Sequence, residues 1–502
     1  MNLGGQEYTK KDDGLKKIIK AAIVFAVLAL FVVLGVYMYV YYLDSQALKL
    51  SIDNKRATIT EQTLIMDETG AVYVSIEEFA KLTGYEFYQG EYGKYTEDKS
   101  KCYIANKNEI AGFELGSNQI YKVDPNVTNA NYEWYQMQEP VKMLNNKLYC
   151  LSDGIKVAYN VQFEYDKERN IIQVTTLDTL VNHYQAIAVN NYKYTGIDTA
   201  YANQKAVLYG MLVVKKAETD ASGRVQEDTY KYGVVTLNNQ NIIGTKYDKI
   251  EFIEVTQEFF VTSNNKVGIL SNEGAQKVAP TYDAIEVLDN ELRLYYVEND
   301  DMKGVLDRNG KRVVYIENEQ IGVDASLFPS NDITNSMLLF DNCIPVMKNS
   351  KWGLFDKNGN QLLDTVYDSL GYIAGTQKDA VGNNLLIIPE IEGIVVCQNG
   401  KYGIVQSTGK FLAPCSFDKI YSITNLGEDT YYLTYGTQTI TLEDYQKLSE
   451  QPTTTPQEIQ QQPTTEAGDT SNETTTGNTI GNTVGNTVES TIVQNSGIQI
   501  VQ

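Results

Sequence analysis

Apolar and polar positions divide the chain into four stretches with different periods. From Ala21 to Leu43 it reads AAIVFAVLALFVVLGVYMYVYYL, 23 residues without a charge. At about 1.5 Å per residue that is enough to cross a hydrocarbon core of about 30 Å, so a transmembrane helix is expected over 21–43. Lys10, Lys11, Lys16, Lys17 and Lys20 precede it, whereas only Lys49, Lys55 and Arg56 follow closely. The positive-inside bias therefore keeps 1–20 cytoplasmic and puts the bulk of the chain outside, as a single-pass protein of the cell membrane. A cleaved signal peptide, with Ser45, Gln46 and Ala47 as a weak small-residue site, is the competing reading. The apolar run exceeds the usual signal length of about 7–15 residues.

Over 47–180 an apolar pattern occurs twice, at an offset of 76 that sets Val74 on Cys150, Gly84 on Asn160 and Phe87 on Phe163. Both copies predict strand, short helix, strand. In the first, Ser75 and Glu78 form a capping box and Gly84 supplies the left-handed residue that ends the helix. Asparagine, the next residue type to tolerate that conformation, stands at 160. Ile76, Phe79, Ala80 and Leu82 give the helix one buried face.

Over 181–450 the period lengthens. Five segments share a lysine or neighbour, one variable residue, a glycine, two aliphatics and a turn. Their glycines are Gly233, Gly268, Gly304, Gly353 and Gly403, spaced by 35, 36, 49 and 50 residues. A turn residue follows each glycine by six (Asn239, Gly274, Gly310, Gly359, Gly409). In four copies an aromatic–aspartate pair follows: Tyr247–Asp248, Tyr282–Asp283, Tyr367–Asp368 and Phe417–Asp418. The third copy has Asn318 and Glu319 there, so a distorted second half is expected. DRNG and DKNG suit type I turns with glycine at positive φ, and the aliphatic pairs suit hairpin strands, three or four per copy. From Gln451 to Gln502 there is no Lys, Arg or aromatic residue. Such a Thr/Gln/Asn-rich segment cannot bury enough apolar surface to offset its ordering entropy, so 451–502 is expected to be a disordered tail.

The duplicated 47–180 pattern, with its LTGYEF turn and the FELGSNQIY segment, resembles the copper amine oxidase N-terminal-like, or stalk, domain of bacterial surface proteins. The resemblance implies a non-catalytic spacer or attachment module. The five repeats, best seen in KWGLFDKNGNQLL around Trp352, resemble the WG β-repeat family over about 225–450. That resemblance and the period imply a propeller-like ring or an open β-solenoid. The ring is preferred because residues 183–225 offer strands for a sixth blade shared with the closing C-terminal ones. The fold class is thus mainly β: a transmembrane helix, a small α+β stalk-like domain, a WG-repeat array and a tail.

Chemistry is sparse. The net charge is −22 and there is one histidine, His183, so a nucleic-acid partner and a multi-histidine metal site are both excluded. Five cysteines (Cys102, Cys150, Cys343, Cys397, Cys415) read as small buried hydrophobes, with a Cys102–Cys150 bridge as the alternative. GIVQSTGK from Gly403 imitates a phosphate loop with the wrong spacing, Ser263–Lys266 an SxxK nucleophile without its helix, and Asp356–Asn360 a calcium loop without its distal glutamate. All three read as repeat hairpins. No cofactor is expected, and the chain reads as a non-enzymatic, membrane-anchored binding or scaffold protein. Its partners are then the bilayer, through one helix, and an extracytoplasmic protein or neutral glycan. A cell-wall hydrolase using paired carboxylates is the alternative.

Overall fold

The structure, a computed structural model, describes residues 10–449 apart from 127–131, 219, 223, 227–228, 332, 334 and 376–381. The tail expected over 451–502 lies outside the described residues, as do the first nine. Helix α1 (Lys10–Gln46) contains one stretch, Lys16–Tyr42, long and apolar enough to span a membrane. Its described side chains are all exposed. No proline flanks the apolar run, so helical hydrogen bonding continues beyond both of its ends. Two residues separate α1 from the first strand, Lys49–Ile52.

The N-terminal domain shows the expected duplication. Strand Val72–Ser75, helix α2 (Ile76–Thr83) and strand Glu86–Glu91 are matched by Lys147–Leu151, helix α3 (Ser152–Tyr159) and Val161–Asp166. The copies meet about a pseudo-twofold centred on the equivalent pair Val74 and Cys150, with Tyr73 opposite Leu151 and Ser75 opposite Tyr149. Gly84 and Asn160 end the helices at φ of 77° and 50°. Only half of the expected capping box forms. Ser75 Oγ accepts the Glu78 N–H, but the Ser75 N–H is taken by Thr63 O and the Glu78 carboxylate by Lys81 and Lys147. Ile76, Phe79 and Ala80 enter one core with Cys102 and Cys150, and all five cysteines are free thiols.

A six-stranded sheet runs Glu133–Gln136, Gln119–Val123, Ile110–Glu114, Lys101–Ala105, Glu86–Glu91, Lys94–Tyr95. Its inner face carries Cys102, Ile104, Phe113 and Ile120 into that core.

The array is a succession of open antiparallel sheets, none closed into a barrel. The first is Gly196–Ile197, Met211–Lys216, Lys231–Thr236, Asn241–Tyr247; the second is Lys249–Ile253, Glu258–Ser263, Lys266–Leu270, Gln276–Tyr282. Sheets ending at Asn318, Tyr367 and Phe417 repeat this plan, and a three-stranded sheet spans Lys419–Thr441. Sequence copies and sheets are out of phase: each copy supplies the last two strands of one sheet and the first two of the next, and the aspartate marks the boundary. Each core cluster lies within or between consecutive sheets; among the described residues none unites the first sheet with the last.

Three expectations for this region fail. Residues 185–190 are not strand but the end of helix α4 (Leu177–Asn190), whose Leu177, Leu180, Val181, Tyr184 and Ala188 recur at helical spacing on one packed face. The shared sixth blade does not form either. Met211–Lys216 pairs with Lys231–Thr236 inside the first sheet, while the closing strands pair with one another. The third copy is not distorted: Lys303 faces Asn318 and Val305 faces Val314 in the register of its siblings, because the buried Asn318 amide donates to Lys303 O and Tyr315 O.

Candidate binding face and the domain junction

The repeat signature is structural. In each copy the glycine lies where the pairing register jumps, so the partner strand bulges over it. At Gly353 an added Cβ would sit 2.9 Å from Leu363 O and 3.0 Å from Thr365 N. The residue before the glycine pairs across strands with the aromatic of the aromatic–aspartate pair: Trp352 with Tyr367, Tyr232 with Tyr247, Val267 with Tyr282, Tyr402 with Phe417. The turn glycine of one copy, as at Gly359 (φ 88°), packs against a backbone carbonyl of the preceding copy, Val313 O.

The aspartates join neighbouring sheets. Asp283 accepts Lys266 Nζ at 2.6 Å and, from the next hairpin, the Asp300 N–H at 2.8 Å. Asp248 links Lys231 to the Asn264 N–H, Asp368 links Lys351 to Gly400, and Asp418 links Lys401 to Gly436. Glu319 performs the hairpin half of this task in the third copy, accepting the Ser350 N–H at 3.0 Å. These hydrogen bonds from lysine hold all four aspartates below the usual carboxyl range.

The chemical look-alikes are turns. Asp356 Oδ1 accepts the Asn358 and Asn360 N–H groups, Gly409 N–H closes its turn on Gln406 O, and Lys266 belongs to the aspartate ladder. His183 is an exposed residue of α4 beside Tyr184. Among the described residues no group of His, Cys, Asp and Glu is arranged to hold a metal ion.

Two features were not anticipated. The first is a buried ionic junction between the N-terminal domain and the array. Lys122 Nζ, on the inner face of the six-stranded sheet, donates to Asn160 Oδ1 (2.9 Å) and Glu254 Oε2 (3.0 Å), and pairs with Glu109 (3.1 Å). From the array side, Lys205 pairs with the same Glu109 and with Glu254 (2.6 Å). Tyr209 and Tyr135 hydroxyls also donate to Glu254. Burial works against ionising Glu254, but the two lysines outweigh it and pull the carboxyl down to about 2. Glu133, buried beside Tyr135 with weaker compensation, is pushed up instead. Asn290 adds a hydrogen bond from the array to Trp134 O at 3.0 Å.

The second is an aromatic row on the opposite, outer face of the same sheet. Tyr88, Tyr103, Gly112, Tyr121 and Trp134 are successive cross-strand partners, one on each of five strands. Tyr92 and Tyr132, 43% and 39% exposed, extend it. The rings touch in series: Tyr88–Tyr92 at 5.0 Å, Tyr92–Tyr103 at 6.4 Å, Tyr103–Tyr121 at 6.1 Å, Tyr121–Trp134 at 5.3 Å. The Tyr121 ring lies over Gly112, where an added Cβ would come within 2.3 Å of it. Alongside, two residues away on four of these strands, runs a polar row: the Lys101–Glu114 ion pair (3.5 Å), Gln119 and Gln136.

No family model matches this chain. No curated protein matches it either. Solved structures align over long stretches at low similarity. A eukaryotic initiation factor has 11% identity and a TM-score of 0.21, covering 67% of this chain and 85% of that one. The extracellular domain of a one-component system from B. thetaiotaomicron has 8% identity and a TM-score of 0.15, covering 78% of this chain and 58% of that one. An uncharacterized protein from Listeria monocytogenes EGD-e has 10% identity and a TM-score of 0.18, covering 68% and 90%. Likeness at this level carries no argument about fold or activity.

Proposed function

We propose that the chain is a membrane-anchored extracytoplasmic binding and scaffold protein. In this reading α1 crosses the bilayer with 1–20 cytoplasmic, a stalk-like N-terminal domain follows, and a WG-type array of sheets, open rather than closed on itself, stands outside to meet an envelope protein or neutral glycan. The observation that carries the proposal is the junction. An exposed apolar helix leads within two residues into a domain that shares buried Lys122, Glu109, Lys205 and Glu254 with the array. A body whose two parts are locked together this close to its tether is suited to holding a surface near the membrane.

The test is protease shaving of intact cells expressing the chain with an N-terminal tag. Digestion of the body with the tag protected in a carbonate-resistant membrane fraction is the expected result. A body protected from external protease, or released with its first residue near Ala47, would sink the proposal.

A further inference from the structure

We infer that the outer face of the six-stranded sheet is a platform for a single chain of an uncharged, extended glycan; this deepens the function proposed above by giving the ligand a class and a place. A pyranose ring has an apolar C–H face and a rim of hydroxyls. The row of Tyr88, Tyr103, Tyr121 and Trp134 offers ring faces to the first, and the electron-rich face of an aromatic attracts polarised C–H groups. Lys101, Glu114, Gln119 and Gln136 offer the second both donors and acceptors. Strands repeat at about 4.8 Å, a step comparable with one pyranose unit of an extended chain. A glycan lying across the strands thus meets a ring at successive units, and at Gly112 the ring of Tyr121 fills the gap.

Ring order and charge narrow the class. Successive rings are inclined by 69°, 61° and 58°, well beyond the roughly 20–25° of twist between adjacent strands, so the row is an edge-to-face ridge that suits one pliant chain rather than the flat face of a crystalline polymer. The flanking ion pair is neutral, whereas residues 44–450 carry −19, which repels an anionic polymer. A glycan is favoured over a protein because the open part of this face is a narrow aromatic row beside a polar one, while its aliphatic positions, Ala105 and Ile110, are already buried and leave no broad dry patch for a protein surface.

The test uses the full chain in lipid nanodiscs, avoiding sugar-headed detergents, in a Trp352→Phe background that leaves Trp134 as the sole indole. Titration with cello-, manno- and xylohexaose should shift Trp134 emission saturably with at least one of them, and a hexauronate should not. By calorimetry, Tyr121→Ala should weaken that binding at least tenfold. The paired surface changes Gln119→Ala and Gln136→Ala, which cannot disturb the core, should weaken it several-fold. Tyr315→Ala, on the array, should leave it unchanged. Absence of binding to every uncharged hexasaccharide overturns the inference, as does binding that survives Tyr121→Ala; the latter leaves the binding function standing but moves its site. Self-association that Tyr121→Ala abolishes, without glycan binding, would instead make the face a protein interface.

Discussion

A Cβ on Gly353 would meet the Thr365 methyl at 2.7 Å and, with it, backbone at 2.9 and 3.0 Å, which cannot swing away. Gly353→Ala should therefore cost about 1–3 kcal/mol in urea denaturation, the usual penalty for overpacking. Gly244→Ala, in a strand position where the added atom meets nothing within 4 Å, should change stability by less than about 0.5 kcal/mol. The ladder aspartates make a pH prediction. Their folded values are depressed by lysine, so the stability they add is present above the unfolded carboxyl value of about 3.9 and is lost as pH falls through the lower folded value. Asp283→Asn should accordingly flatten the acid limb of the stability profile below the unfolded carboxyl value of about 3.9, measured by circular dichroism, with little effect at neutral pH because these pairs are exposed.

At the level of elements, the junction is where a single change should act most strongly. Lys122→Met leaves Glu109 and Glu254 sharing one lysine in a buried site, and should destabilise the protein by about 3–5 kcal/mol. Replacing Lys122, Glu109, Lys205 and Glu254 together by apolar residues should restore most of that, read from denaturant midpoints. Glu254, its carboxyl pulled down to about 2 by those lysines, adds stability that is fully present above the unfolded carboxyl value of about 4.3 and is lost as pH falls from there through about 2. None of this was legible in the chain. Lys122 sits in a strand as an ordinary alternating polar residue, and its partner Glu254 lies 132 positions away in a hairpin. The aromatic row was hidden for the same reason: Tyr88, Tyr103, Tyr121 and Trp134 are unremarkable mid-strand residues until the register sets them side by side. Helices α2 and α3, their caps and the repeat turns were legible because the interactions that define them are local. Helix α4 is hidden because QAIAVNNYKY alone is apolar enough for a strand, and only the Leu177, Leu180, Val181 spacing before it marks a helix.

For the whole molecule, the decisive property is that, among the described residues, the core clusters and ladder bonds of the array lie within a sheet, with the next sheet, or with the N-terminal domain at the junction. Core clusters, turn glycines and aspartates all connect neighbours, so stability in the array should accumulate sheet by sheet as in other one-dimensional repeats. Truncation after Phe417, which removes the last sheet and exposes Tyr372, Ile404 and Leu433's neighbours in its shared core, should lower the melting of the fifth sheet while sparing the first two, as hydrogen exchange would read it. The half-sheet offset between sequence copy and sheet has a further result at the level of genes. Recombination that removes one copy, such as residues 353–402, splices the first half of one sheet to the second half of the next and still yields a complete four-stranded unit with its glycine bulge, its turn and its aspartate bond. Array length can therefore change by whole copies through unequal exchange without any intermediate that leaves a sheet half built.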